Sequence, residues 1–105
     1  VADVENDLEV EELRRYFAGR LPERLTEVEA AGTAAYDAGW SAEPLRHFHR
    51  LAHSLVGAGA TFGFPAVTEH ARTLERLLKA RLEGGPPPPV AEIAEILERL
   101  RTAAK

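Results

Sequence analysis

The chain contains no cysteine and no methionine, and its aromatic side chains are limited to four phenylalanines, two tyrosines and one tryptophan in 105 residues. The lack of cysteine excludes a disulfide framework, thiolate chemistry and cysteine-based metal sites, and leaves the redox compartment open. No apolar run approaches the roughly 18 residues that a membrane-spanning helix needs, and no signal-peptide pattern opens the chain. The segment is therefore expected to be cytoplasmic and to make no membrane contact. Basic charge is not gathered into a patch. The 13 Lys and Arg residues are interleaved with 17 Asp and Glu, giving a net charge of −4. That balance argues against nucleic acid as a partner, since its binders neutralise phosphates with a basic stripe. A glycine-rich loop followed by lysine is also absent, so the chain shows no nucleotide site of its own. Alternating apolar and polar segments are missing too, which argues against strands.

What remains is rich in Ala, Leu, Glu and Arg and 45% hydrophobic, a composition suited to helices throughout. The length fits a single compact domain, residues 1–105. The opening "VADVEND" lacks an initial Met and reads as the start of an excised segment, so a membrane or catalytic segment of a parent protein is left open. In "DLEVEELRRYFAGRLPERLTEVEAAGTAAYDAG", Leu13, Phe17, Leu21, Leu25, Val28, Ala31 and Ala35 fall at helical spacing. Pro22 is expected to divide this stretch into a short first helix and a longer second one. Gly39 suits the position after a helix end and Ser41 an N-cap. From there Leu45, Phe48, Ala52, Leu55, Gly59 and Phe62 form a bundle seam. Gly63, Phe64 and Pro65 end that helix and begin the next, whose seam is Val67, Ala71, Leu74, Leu78 and Leu82. The run "PPPP" at 86–89 is a stiff connector. A final helix carries Val90, Ile93, Leu97 and Leu100 inward. The pattern predicts an all-α, antiparallel four-helix bundle with a short additional N-terminal helix.

The stretch "HFHRLAHSLVGAGATFGFP", residues 47–65, places glycines inside a helix. Each interior glycine costs about 0.5–1 kcal/mol relative to alanine, so Gly57 and Gly59 must make room for something. On a helical wheel His53 points about 130° away from the core direction, on the outer face. Helical side chains lean toward the N-terminus, so residue 57 would normally overhang the patch at residue 53. Gly57 leaves that imidazole bare. Gly59 lies on the seam and suits close approach of a neighbouring helix. An exposed, uncrowded imidazole is a competent nucleophile toward a phosphoryl group. No serine, cysteine or acidic partner stands at a spacing that would make a hydrolytic triad with it. A nucleophile without a pocket implies that a partner brings the phosphoryl group.

The segment "AHSLVGAGATFG" resembles the signature of the histidine-containing phosphotransfer (HPt) domain family. In that signature the phosphorylated histidine is followed by a small polar residue, an aliphatic residue, Lys, Gly, small residues and a second Gly ten positions on. His53, Ser54, Leu55, Gly57, Ala58 and Gly63 match. The flanks "LPERLTEVEAA" and "FPAVTEHARTLERLL" are similar to the second and fourth helices of the family, so the resemblance covers a core of about residues 8–103. It implies a phosphocarrier rather than an enzyme, monomeric, in which His53 accepts a phosphoryl group from a histidine kinase or a response-regulator receiver domain and passes it to another receiver. No cofactor is expected in this chain, the Mg²⁺ belonging to the receiver. Val56 departs from the pattern, standing where the family usually has Lys. Arg50 and Arg46, three and seven residues before His53, are the cations expected to compensate. The alternative is an inactive HPt-like module that docks on a receiver without phosphotransfer.

His49 lies four residues before His53, and His70 is on the next helix, which invites a third reading as a metal-binding bundle. Bundle metal sites use inward carboxylates, whereas His53 points outward and Glu69 and Glu75 have no enforced convergence on it. No metal is expected. His49, about 70° from the core direction, is read as a flanking residue that packs or hydrogen-bonds beside the site. His47 reads as ordinary surface and His70 as a partly buried histidine bonded to a neighbour.

Overall fold

The computed structural model describes residues 2–105, with side chains from Leu8 onward. Among the described residues there are four helices and no strand: α1 (Ala2–Asp37), α2 (Ala42–Phe62), α3 (Pro65–Leu82) and α4 (Val90–Ala103). α1 packs on α2, α2 on α3, α3 on α4, and α4 returns to α1. No described helix is long and apolar enough to cross a membrane.

The expected short N-terminal helix is corrected: α1 runs unbroken through Pro22. A proline inside a helix forfeits a hydrogen bond and costs about 3 kcal/mol. Pro22 is exposed, however, while Phe17, Leu21, Leu25 and Val28 around it are buried. Each such side chain contributes about 1.5–3 kcal/mol on burial, so continuity of the buried stripe outweighs the defect. The Pro22 carbonyl also accepts from Thr26 Oγ1 at 3.0 Å and from the Arg101 guanidinium at 3.4 Å. Arg101 reaches from α4 to the Glu29 carboxylate as well, a hydrogen bond that pushes its pKa further above the usual arginine value and ties α4 to α1.

Most seam residues read from the sequence form the core, with Leu45, Phe48, Ala52, Leu55 and Gly59 of α2 facing Val67, Ala71, Leu74 and Leu78 of α3. On α4, Ile93, Ile96 and Leu100 are buried, whereas Val90, at the first position of the helix, is exposed, a correction to its inward reading. Along α1 and α2 the contacts run in opposed order: Arg14 reaches the Gly63 carbonyl and Phe17 stacks on Phe62, while Gly32 lies against Phe48. Gly63 closes α2 in the left-handed conformation, φ 79°, and the Phe64 N–H bonds back to Gly59 O at 2.8 Å, which turns the chain directly into α3 at Pro65. Gly59 then lets the two helices close. A Cβ there would lie 3.1 Å from the Thr68 nitrogen and 3.2 Å from Phe64 O, and would collide with Thr68 Oγ1. That hydroxyl donates to the Val56 carbonyl at 3.3 Å, filling the space the missing side chain leaves.

Candidate functional site

The α2–α3 hairpin determines what stands beside His53. With the turn at residues 63–65 and Gly59 against Thr68, each turn back along α2 is matched by a turn forward along α3. His53 consequently meets Glu75, and His53 Nδ1 lies 2.6 Å from Glu75 Oε1. The two ends of this contact differ in environment. The His53 side chain is 71% exposed, while that of Glu75 is 20% exposed and held against the hairpin. A carboxylate only accepts hydrogen bonds, so Nδ1 carries the proton and donates it to Oε1. Nε2, across the ring from that contact, is the nitrogen left for another partner.

His49, one turn before His53, is half-buried beside the same carboxylate, its Nε2 3.9 Å from Glu75 Oε1. That distance is too long for a hydrogen bond, and His49 Nε2 is buried with no partner among the described residues. It packs beside the site without bonding to it. His49, Arg50, His53, Ser54, Glu75 and Lys79 together line a shallow groove of about 530 Å³.

The remaining sequence candidates separate cleanly. Arg50 is exposed and lines the groove, whereas Arg46 is exposed and does not. At Gly57 an added Cβ would meet nothing within 4 Å, so the surface C-terminal to His53 is open. Val56 is half-buried against the core. His47 is exposed. His70 lines a different cleft, with Glu95, Glu98 and Arg99 between α3 and α4. The three histidines of the metal reading therefore do not gather, and no cluster of metal-ligating side chains forms among the described residues.

Two groove residues were not anticipated. Glu75 does converge on His53, a correction to the expectation that it would not, and Lys79, one turn further along α3, brings a cation to the same groove. Lys79 is exposed and 3.8 Å from Glu83, the C-cap residue of its helix, a contact weak enough to be exchanged. Both lie in the sequence at a distance fixed by the turn: 22 and 26 residues after His53.

The arrangement is that of a helical bundle presenting one oriented, solvent-facing imidazole on α2, beside an open groove rather than inside an enclosed cavity. The family model for the Hpt domain matches residues 12–103, and the chain belongs to that family. Hpt domains carry phosphoryl groups on histidine in two-component phosphorelays, and they are phosphocarriers rather than enzymes. Comparison with curated proteins and with solved structures gave no match.

Proposed function

We propose that His53 is the residue that carries the phosphoryl group, taking it from a receiver aspartate or a histidine kinase and delivering it to a receiver domain. The observation that carries this reading is the 2.6 Å contact between His53 Nδ1 and Glu75 on an otherwise exposed ring. The scaffold is read as an antiparallel bundle, which the opposed order of the α1–α2 contacts supports.

In the transfer step the Nε2 lone pair attacks phosphorus of the aspartyl phosphate. The P–Nε2 bond forms, the P–O bond to the aspartate breaks, and the aspartate leaves as carboxylate. The ring becomes cationic as the bond forms. Its positive charge is shared with Nδ1–H, which already donates to Glu75, so the carboxylate stabilises the charge where it develops without having to move. The return step reverses each change, and Nδ1 keeps its proton throughout. Arg50 from α2 and Lys79 from α3 line the same groove as the ring and are expected to contact phosphoryl oxygens, replacing the cation absent at Val56. The receiver is expected to supply the acidic pocket and Mg²⁺, and this chain the positioned nucleophile and the open surface at Gly57.

A second reading follows from Val56 alone: a bundle that docks on a receiver without accepting phosphate. Mixing the protein with a phosphorylated receiver and mapping the product by mass spectrometry decides between them. Acid-labile phosphate on the peptide containing His53 supports the carrier. Receiver binding without phosphate on this chain supports the docking module.

A further inference from the structure

α1 is longer than the bundle it serves. Its 36 residues extend about 54 Å at 1.5 Å per residue, matching the longest dimension of the molecule, 54 Å, whereas α2 has 21 residues. Arg14 makes the most N-terminal side-chain hydrogen bond from α1 to the bundle among the described residues, to the Gly63 carbonyl. Leu8 to Leu13 are all exposed. A helical overhang of this length has little stability of its own, because short isolated helices are marginal in water. It also carries apolar surface. Of the six exposed large hydrophobic residues among those described, Leu8, Val10, Leu13 and Tyr16 are all at this end of α1.

The order of residues on one face of the overhang is self-complementary. Glu9, Leu13, Tyr16 and Arg20 follow at spacings of four, three and four, so they share one helical face, within an arc of roughly 60°. Leu13 is 52% exposed and Tyr16 67% exposed. The face points away from α2, which contacts Arg14, Phe17 and Gly32, and away from α4, whose Arg101 contacts Pro22, Thr26 and Glu29. Arg20 lies over it, its guanidinium 5.9 Å from the Tyr16 ring centroid and 3.2 Å from Glu23.

We infer that this face pairs with the same face of a second copy of the chain, the two α1 helices running antiparallel about a two-fold axis between residues 14 and 15. That register sets Glu9 opposite Arg20 of the other copy, and Leu13 opposite its Tyr16, and the symmetry repeats both pairs. Parallel pairing would set Glu9 against Glu9 and Arg20 against Arg20. Where the sequence reading expects a monomer, the face specifies a weak, reversible dimer of modest area. His53 lies in the groove between α2 and α3, away from this face, and stays accessible in the pair.

Sedimentation velocity on the 105-residue chain across about 10 µM to 1 mM, the range suited to a small interface, tests this directly. The expected result is a mass rising from 11.5 kDa toward twice that value, with less dimer as salt screens the charge pairs. Glu9→Arg and Arg20→Glu should each abolish the dimer alone, yet a mixture of the two variants should form a heterodimer, since every facing pair is then of opposite sign. A wild type that remains at 11.5 kDa throughout, or a mixture of the two variants that remains monomeric, would overturn the proposal.

Discussion

His53 and Glu75 stand 22 residues apart in the chain and share one hydrogen bond, 2.6 Å from Nδ1 to Oε1, made possible by a hairpin that closes at Gly59. That single contact occupies Nδ1 and leaves Nε2 as the nitrogen turned to other partners. Orientation of the His53 ring is thus assigned to α3 and its exposure to α2.

Glu75→Ala should slow phosphoryl transfer while leaving the bundle folded. A hydrogen bond to a charged group contributes about 1.5–3 kcal/mol in protected settings. Exposure of the ring reduces it, so a loss of roughly three- to thirtyfold in the transfer rate is expected. Glu75→Gln keeps an acceptor oxygen and loses the charge, and should fall between the two. ¹⁵N chemical shifts of the His53 ring should move toward a mixture of tautomers in Glu75→Ala. Unchanged shifts and rates would remove Glu75 from the site.

The two glycines of α2 should respond in opposite directions to the same substitution. Gly57→Ala adds a methyl group in open space and should stabilise by about 0.5–1 kcal/mol through helix propensity. Gly59→Ala drives its methyl into Thr68 and the Phe64 carbonyl, and should destabilise by about 1–3 kcal/mol despite the same propensity gain. Urea midpoints of the two variants check the contrast, and equal shifts would contradict the close packing at Gly59.

A larger side chain at Gly57 separates stability from docking. Gly57→Leu should fold at least as well as the wild type yet transfer more slowly, because leucine would lean toward the N-terminus over the His53 ring. Wild-type rates with Gly57→Leu would mean that the receiver does not use the open surface.

Arg50→Ala and Lys79→Ala should each slow transfer several-fold, and the double variant should lose more than either, since exposed charge contacts are each worth only about 0.2–1 kcal/mol. The rates are read from time courses with a phosphorylated receiver. A double variant equal to wild type would show that the phosphoryl group needs no cation from this chain.

Much of the architecture was legible in the sequence because seam periodicity and turn residues are local signals. Gly39, Ser41, Gly63 and Pro65 mark the helix ends where the structure has them, and the exposure of His53 follows from the wheel. Pro22 misled because its local cost is fixed while the compensation, burial of Phe17, Leu21 and Leu25 against other helices, is tertiary. Glu75 and Lys79 were missed for a related reason. A wheel places residues on one helix, and the partner of His53 comes from the next. Pairing residues outward from the turn at Gly63–Pro65 would have found Glu75, given that Gly59 holds the two helices in register.

The proposed phosphotransfer turns on which atom of the chain takes the phosphoryl group. Uniformly ¹⁵N-labelled protein, phosphorylated by a receiver and examined by ³¹P–¹⁵N correlated NMR beside the His53→Gln variant, answers that in one experiment. The prediction is a phosphorus nucleus coupled to Nε2 of His53, with Nδ1 still protonated, and no phosphorylation of His53→Gln at an unaltered melting temperature. Phosphorus bound to Nδ1, or to any residue that remains labelled in a folded His53→Gln variant, would contradict it.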